Sequence, residues 1–396
     1  MSKVKDQYEA YPYPERDPKD EKKRLITGSP SHPLEVDHFL FGGQRDWSAG
    51  TRILVAGGGT GDALIQLSQT LTSAGKEYEI TYIDLSSASR KIAEARAKAR
   101  GLKGITFTTG SLLDAAEYGP FDYIDCCGVL HHLPEPQAGF DALAAALSPE
   151  GGLGCMVYAP YGRSGVYPLQ EAFRSLLNGL PPKAQLREAK RIFAELPAGH
   201  PFKSNPHLVD HKASDAGFYD LLLHSQDRPY TIDQLSQTLG AAGLRMVGTP
   251  QAALYDLSRF TDIKKDMDPV AQMALAEKLD GTIKTHVVYA RPSAAPVVAA
   301  GKSGRDVPHL KGMAAGALAQ KVARDGAITV TLNGVKHHVP IAKSAAKAIS
   351  GVDGRRDLAA IQAGCALDPL AWNAIWQPLH CDLTRFGLLV YSRLLA

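Results

Sequence analysis

The sequence predicts an α/β fold built on a doubly wound, mostly parallel, seven-stranded sheet of Rossmann-like type. Two observations carry this prediction. Apolar runs of strand length alternate with helical repeats through residues 51–158, and glycine-rich or polar segments follow those runs where parallel strands would end. A helical insert at residues 161–228 and a small C-terminal α+β domain of winged-helix type complete the predicted architecture.

The first strand–turn–helix unit contains the most informative motif. An apolar run, Ile53 to Val55, leads into a glycine turn, and leucines then recur at helical spacing. The turn has a GxGxG spacing and predicts a site where a ligand lies against the main chain, at Gly57, Gly58, Gly59 and Gly61. A dinucleotide-binding turn would need a glycine in place of Asp62. A purely structural glycine turn is the alternative at this point.

Further strands follow at the spacing expected of βαβ units. The second strand runs from Glu79 and ends in Asp84, roughly 20 residues beyond the glycines, where a carboxylate accepts ribose hydroxyls. The third, fourth and fifth strands are predicted at residues 104–107, 121–127 and 152–158. Ligand-type residues come directly after several of these strands, which places the predicted site at their carboxyl ends.

The ordered motifs VAGGGTG, YIDLS, TTGSLLD, FDYIDCCGVLHHLPEP and SPEGGLGCMVYAP resemble those of the class I S-adenosylmethionine-dependent methyltransferases. The resemblance covers residues 45–160 and resumes at 230–292, where two last strands are expected. It implies S-adenosyl-L-methionine as the cofactor and S-adenosyl-L-homocysteine as its product. The chain departs from the family at Val55 and Ser111, where acids are frequent, and this implies a variant set of cofactor hydrogen bonds.

The resemblance also implies roles for individual residues. The glycine turn approaches the methionine moiety of the cofactor. The other predicted cofactor-binding residues serve the ribose (Asp84 and Leu85), the adenine (Ser111 and Leu112) and, through the backbone, the methionine amino group (Cys127).

Candidate catalytic groups are chosen from the chemistry of methyl transfer. Transfer from a sulfonium is an in-line displacement, so the enzyme mainly aligns the nucleophile and excludes water. A base is needed only if the nucleophile arrives protonated, and histidine suits that role because it titrates near neutrality. The predicted catalytic residues are His132, His224, Asp227 and Tyr13. For His132 and its neighbour His131, a structural role in the loop is the alternative.

Two segments outside the sheet are predicted to close the site. Residues 1–45 form an N-terminal lid segment, whose alternating tyrosines and prolines give a stiff extended strip, and surface packing is the alternative. The insert leaves the fifth strand on the substrate side, with Asp220 and His224 four residues apart on one predicted helix face. No metal site is predicted, although two other histidines of the insert, His207 and His211, are also four residues apart.

The methyltransferase domain is predicted to span residues 46–292, and residues 293–305 form a linker of small residues and prolines. Few contacts should cross such a linker, so the rest of the chain is expected to be separable. In that domain, residues 306–396, two strands flank the turn Asn333-Gly334, and helical stretches follow before a last strand. An oligomerisation or capping domain is the alternative to a winged-helix domain.

Composition predicts a cytoplasmic enzyme. The net charge of +3 in 396 residues gives no reason to expect nucleic acid or a membrane as a partner, and the odd count of five cysteines does not suggest a disulfide framework. The predicted function is methyl transfer to an unidentified acceptor, either a protein side chain or a small molecule, in a chain of open oligomeric state. A nicotinamide-dependent oxidoreductase and a non-catalytic S-adenosylmethionine-binding regulator are the alternatives.

Overall fold

The computed structural model describes residues 3–263 and 266–396, so residues 1 and 2 of the predicted lid segment lie outside the described residues. A seven-stranded sheet forms the centre of the molecule. Its strands are β1 Arg52–Ala56, β2 Glu79–Asp84, β3 Ile105–Thr109, β4 Phe121–Cys127, β5 Leu147–Tyr158, β6 Leu244–Gly248 and β7 Thr285–Pro292.

The strands lie in the order β3-β2-β1-β4-β5-β7-β6. The pairs from β3 to β5 are parallel, whereas β7 runs antiparallel to both β5 and β6. The chain order reverses between β1 and β4, and ligands of open α/β sheets bind in the crevice at such a reversal. The predicted doubly wound, mostly parallel sheet is therefore confirmed.

Helices cover both faces of the sheet and extend its edges. Up to the end of the sheet domain they are α1 Lys3–Ala10, α2 Pro33–Phe41, α3 Asp62–Ser73, α4 Ser87–Ala99, α5 Pro136–Ala145, α6 Val166–Leu177, α7 Pro182–Glu195, α8 Asp210–Ala213, α9 Asp215–Leu222, α10 Ile232–Ala241 and α11 Pro269–Asp280. Within the described residues of the whole chain, every helix is too short or too polar to cross a bilayer.

Alternate residues of β1 show why both faces are covered. Ile53 and Val55 pack in one hydrophobic cluster with Leu64 of α3, whereas Leu54 and Ala56 belong to the cluster on the other face. Successive side chains of a strand point to opposite faces, so a strand that is apolar throughout must be buried on both sides.

The insert, α6 to α9, has a hydrophobic cluster of its own around Phe173, Phe202 and Phe218. One expectation about the insert is wrong: α9 ends at Leu222, so His224 lies beyond it and shares no helix face with Asp220. The chain leaves the helix there and turns back toward β5, since the backbone N–H of Tyr230 donates to the carbonyl of Tyr158 at 2.8 Å.

The C-terminal domain is built from two small sheets and four helices. Its elements are β8 Pro308–Leu310, α12 Ala315–Asp325, β9 Ala327–Leu332, β10 Val335–Pro340, α13 Ala346–Ser350, α14 Leu358–Cys365, α15 Pro369–Arg385 and β11 Leu389–Tyr391. Strands β9 and β10 form the expected hairpin, and Asn333 and Gly334 in its turn have φ values of 46° and 81°. Strand β8 pairs with β11, and the winged-helix assignment stays a prediction.

The C-terminal domain packs on the sheet domain through buried contacts, although few contacts were expected to cross the linker. The carboxylate of Asp37, in α2, is fully buried and accepts hydrogen bonds from the Ser392 hydroxyl at 2.7 Å and the Arg393 backbone at 3.0 Å. His38 Nδ1 accepts a bond from the backbone of Tyr391 at 3.2 Å. The hydrophobic cluster that contains Leu54 and Ala56 of β1 also includes residues of α12, α15 and β11. Removing the domain would expose apolar surface and take from Asp37 two of its four hydrogen bonds, the other two being those from Arg45 and Trp47.

Candidate active site

The glycine turn after β1 adopts backbone conformations that favour glycine. Gly57, Gly59 and Gly61 have φ values of 67°, 52° and 100°. Neighbouring groups also exclude side chains, because a Cβ on Gly57 would lie 2.5 Å from Val129 and one on Gly58 would lie 2.3 Å from the ring of Tyr82. The sequence therefore needs glycine at these positions both for the turn and for the close packing around it.

Asp84 lies against this turn at the end of β2. Its Oδ2 accepts the backbone N–H of Gly59 at 2.8 Å, and its Oδ1 accepts that of Ser86 at 2.7 Å. Burial raises the pKa of Asp84. Each carboxylate oxygen has a second lone pair, so both keep one acceptor position for a ligand hydroxyl. Leu85, the next residue, has a side chain that is 37% exposed.

The other predicted cofactor residues occupy neighbouring strand ends. Ser111 caps a short 3-10 helix by accepting the N–H of Leu113 at 3.1 Å. The side chain of Leu112 is buried in the core. Cys127 ends β4 opposite Met156, and burial raises the pKa of its thiol well above the usual range.

The N-terminal segment crosses directly over the glycine turn. The carbonyl of Pro14 accepts a hydrogen bond from the hydroxyl of Thr60 at 2.7 Å, and the carbonyl of Tyr13 lies 3.3 Å from the Cβ position of Gly59. Arg16 forms a two-pronged ion pair with Asp62, at 2.9 and 2.6 Å. The carboxylate that stands in place of a dinucleotide-fold glycine thus anchors the segment above the turn.

The same segment also meets the insert. Tyr11 stacks on Tyr219 of α9, with ring centroids 4.9 Å apart. Tyr8, in α1, donates to Asp220 Oδ1 at 3.0 Å and lies 3.3 Å from His224 Nε2. The two segments predicted to close the site therefore contact one another at the strand ends.

Buried and partly buried polar residues gather where β4 and β5 end, and we call this group the strand-end cluster. Its members come from α1, the loop after β4, β5 and the insert: Tyr8, His131, His132, Tyr158, Arg163, Asp220, His224 and Asp227. Burial raises the pKa of Asp220 and lowers those of His131 and His224. Three of the four predicted catalytic residues are thus brought together here.

The two histidines at the centre of the cluster, His132 and His224, differ in which ring nitrogen carries the hydrogen. His132 Nδ1 lies 2.8 Å from the carbonyl of Gln226, which only accepts, so Nδ1 carries the hydrogen and the neutral ring keeps a lone pair on Nε2. His224 Nδ1 instead accepts the N–H of Gln226 at 3.1 Å, so its hydrogen is on Nε2. The rings stack with centroids 3.7 Å apart. Of these two histidines, only His132 therefore keeps a ring nitrogen with an unused lone pair.

Asp227 is held by an arginine and an amide. Its Oδ2 accepts from Arg163 at 3.2 Å and from Gln170 at 3.1 Å, and the guanidinium of Arg163 also lies 3.6 Å from the ring centroid of Tyr158. Asp227 Oδ1 and both ring nitrogens of His131 are buried without a hydrogen-bond partner among the described residues.

One group of potential metal ligands occurs in the part of the chain that the structure describes. His131, His132 and Asp227 each offer an atom within 4.8 Å of the others. The guanidinium of Arg163 already supplies a positive charge to Asp227, which weakens the case for a cation there. The pair His207 and His211 belongs to no such group within the described residues.

Tyr13, the fourth predicted catalytic residue, has a partly buried side chain, and burial raises the pKa of its phenol. Its hydroxyl makes no hydrogen bond with any described residue, so the backbone of Tyr13 gives the clearer contact with the site. Sequence reasoning missed Tyr8, Tyr158 and Arg163 as site residues. For Tyr158 and Arg163 the available signal was their position in the chain, since Tyr158 ends a parallel strand and Arg163 follows it closely.

The glycine turn and the strand-end cluster share one edge of the sheet. Strands β1 and β4 are parallel neighbours, so their carboxyl ends are adjacent. The loop after β4 joins the two, because Val129 packs against Gly57 only three residues before His132. Ser86, beside Asp84, donates to the carbonyl of Tyr8 at 3.2 Å. A ligand on the turn would therefore lie beside the loop that carries His132.

Comparison with known proteins agrees with this geometry. Residues 54–153 match the family model of a methyltransferase domain. An uncharacterized protein of Synechococcus is 32% identical over 249 residues, which cover 61% of this chain and 58% of that protein. A ubiquinone biosynthesis O-methyltransferase of Xanthomonas axonopodis pv. citri is 31% identical over 126 residues, which cover 31% of this chain and 50% of the enzyme. The chain thus spans about half the length of these relatives.

Solved structures show the same fold. PKMT2 from Rickettsia typhi aligns with a TM-score of 0.62 at 14% identity, over 93% of this chain and 77% of that one. The same protein in complex with AdoHcy aligns with a TM-score of 0.60 at 13% identity and the same coverage of both chains. The match of residues 54–153 to a methyltransferase domain agrees with the resemblance found in the sequence motifs, and the chain shares the fold of this protein.

Proposed function

We propose that the protein transfers the methyl group of S-adenosylmethionine to an acceptor that enters at the strand-end cluster. The observation that carries the proposal is the contact between Val129 and Gly57, which sets the loop of His132 directly on the glycine turn. Gly57, Gly59 and Gly61 would hold the methionine moiety and Asp84 the ribose. S-adenosylhomocysteine would be the product.

In this proposal His132 is the base that receives a proton from the acceptor. Its Nε2 lone pair is free because the carbonyl of Gln226 holds the hydrogen on Nδ1. Proton uptake would make the ring positive, and the nearby carboxylate of Asp220 would stabilise that charge. His224 is then a positioning residue, since it stacks on His132 and its own Nδ1 is occupied.

The remaining groups of the cluster would shape the acceptor pocket and exclude water. Arg163, Gln170 and Asp227 form a buried hydrogen-bonded set beside Tyr158. The N-terminal segment covers the turn through Thr60 and Arg16. A dry, preorganised site favours displacement at the sulfonium because no solvent has to reorganise during the reaction.

The acceptor is either a protein side chain or a small molecule, and nitrogen, oxygen, carbon and sulfur nucleophiles all suit a neutral imidazole base. The two alternatives have less support. A nicotinamide oxidoreductase is disfavoured because Asp62 replaces a needed glycine and its carboxylate is bound by Arg16. A non-catalytic binding protein is disfavoured because His132 keeps an unused basic nitrogen that could accept a proton.

Replacement of the proposed base tests the mechanism. With methyl-tritiated S-adenosylmethionine and a lysate fraction as the acceptor source, His132→Asn should reduce turnover by about 100-fold, a typical effect of losing a general base. Its affinity for S-adenosylhomocysteine should change little. His338→Asn, at an exposed histidine of the hairpin, is the matched control. Full turnover in His132→Asn, with an unchanged pH profile, would remove His132 from the chemistry.

A further inference from the structure

The C-terminal domain contains an open pocket of about 520 Å³, which shares no lining residue with the glycine turn or the strand-end cluster. Three chain segments form it: the residues before β8, the loop before α14, and the residues after β11. Each segment contributes at least one arginine to the lining, and the four are Arg305, Arg355, Arg356 and Arg393.

The positive charges in this pocket are incompletely compensated. Arg356 pairs with Asp353 at 2.8 Å, and Asp357 caps α14 by accepting the N–H of Ala360 at 2.8 Å. The α-carboxylate of Ala396 also belongs to a lining residue. The guanidinium groups of Arg305 and Arg393 make neither a hydrogen bond nor an ion pair with any described residue. Four guanidinium groups beside the carboxylates of Asp353, Asp357 and Ala396 leave one positive charge.

The backbone around the pocket is fixed, so the arginines are held in place rather than carried on a loose tail. The N–H of Leu358 donates to the carbonyl of Asp306 at 3.0 Å, and that of Ser392 donates to Val307 at 3.0 Å. Asp306, Val307 and Ser392 are buried. The folded domain therefore holds these like charges close together, and a bound anion would reduce the repulsion between them.

We propose that this pocket binds a small ligand that carries a phosphoryl group. The planar fork of arginine matches phosphate oxygens in two-pronged hydrogen bonds. A phosphate monoester carries roughly −1.5 to −2 charges at pH 7, which would offset the excess positive charge of the pocket. The volume also lies in the range of small-molecule sites, about 300–1,000 Å³. The ligand would bridge three segments that are distant in sequence and so stabilise the domain.

Calorimetry with glycerol 3-phosphate on the full chain at low salt tests this proposal. The wild type should bind, and Arg305→Gln and Arg393→Gln should each weaken binding by about tenfold, since each removes a charged hydrogen-bond donor. Neither substitution breaks a side-chain hydrogen bond or ion pair within the described residues, so both variants should fold. Arg187→Gln, at a side chain of the insert that is 75% exposed, is the matched control and should bind like the wild type.

Three results would overturn the proposal. These are no binding by the wild type at millimolar ligand, equal weakening in Arg187→Gln, or binding of the dicarboxylate malate as tightly as glycerol 3-phosphate. Affinity for S-adenosylhomocysteine should be the same in all these variants. A failure of that cofactor to bind would count against the proposed function and not against the phosphoryl site.

Discussion

Replacing Asp84 by asparagine is the sharpest test of the cofactor site. The two carboxylate oxygens each accept one backbone N–H, from Gly59 and Ser86, and each keeps one lone pair for a ribose hydroxyl. Asparagine keeps the shape but replaces one acceptor by an N–H₂ group. Loss of a charged hydrogen bond costs about 1.5–3 kcal/mol. At about 1.4 kcal/mol per tenfold, affinity for S-adenosylhomocysteine should fall by about 10- to 150-fold.

The assay is isothermal calorimetry, and two controls separate a direct contact from a distorted turn. Asp114→Asn changes an exposed carboxylate close to the same crevice and should bind like the wild type. The 2′,3′-dideoxy analogue of the cofactor lacks the ribose hydroxyls, so the wild type and Asp84→Asn should bind it with similar affinity. An affinity for S-adenosylhomocysteine within twofold of wild type, or an equal loss for the analogue, would refute the ribose assignment.

Three further predictions concern stability and closure. Burial raises the pKa of Asp125 to about 7, so wild-type stability should fall as pH rises from about 4 to 7. Asp125→Asn should lack this decline, so its free energy of unfolding should rise by up to about 4 kcal/mol relative to wild type between pH 4 and pH 8. Urea unfolding that gives the same difference between the two proteins at pH 4 and at pH 8 would contradict this. A chain that ends at Ser293 should aggregate or unfold because buried contacts cross the boundary, and a monomeric, cofactor-binding product in gel filtration would show otherwise. Arg16→Gln should speed S-adenosylhomocysteine release several-fold in stopped flow, since losing one charged pair costs about 1 kcal/mol or more. Lys23→Gln, which removes an exposed ion pair, should leave the release rate unchanged. Equal release rates for Arg16→Gln and wild type would mean that the N-terminal segment does not cover the cofactor.

Much of the sheet could be predicted because its signals are local. The apolar run before Gly57, the glycine spacing and the acid at Asp84 all lie within 34 residues of Thr51. Period and turn chemistry act over such short distances, so the strands are found close to where the sequence places them. Strand β2, for example, is both predicted and observed to begin at Glu79 and end at Asp84.

The strand-end cluster could be predicted only in part because tertiary packing assembles it. Tyr8 reaches Asp220 across 212 positions of the chain, and no local pattern encodes such a contact. The choice between His132 and His224 depends on which backbone group of Gln226 each ring meets. The buried role of Asp37 was equally hidden, since a carboxylate in a short helix is usually exposed.

Methyl transfer itself is the central claim, and one labelling experiment tests it most directly. The purified full chain is incubated with methyl-tritiated S-adenosylmethionine and lysate, which is then separated into protein and small-molecule fractions. We predict label in one fraction with an equal amount of S-adenosylhomocysteine, no label with Gly59→Val, and wild-type label with Gly199→Val. A Cβ on Gly59 would lie 3.3 Å from Tyr13 at a φ of 52°, whereas one on Gly199 meets no atom within 4 Å. Absence of label from both fractions with the wild type, or equal label with Gly59→Val, would contradict the account.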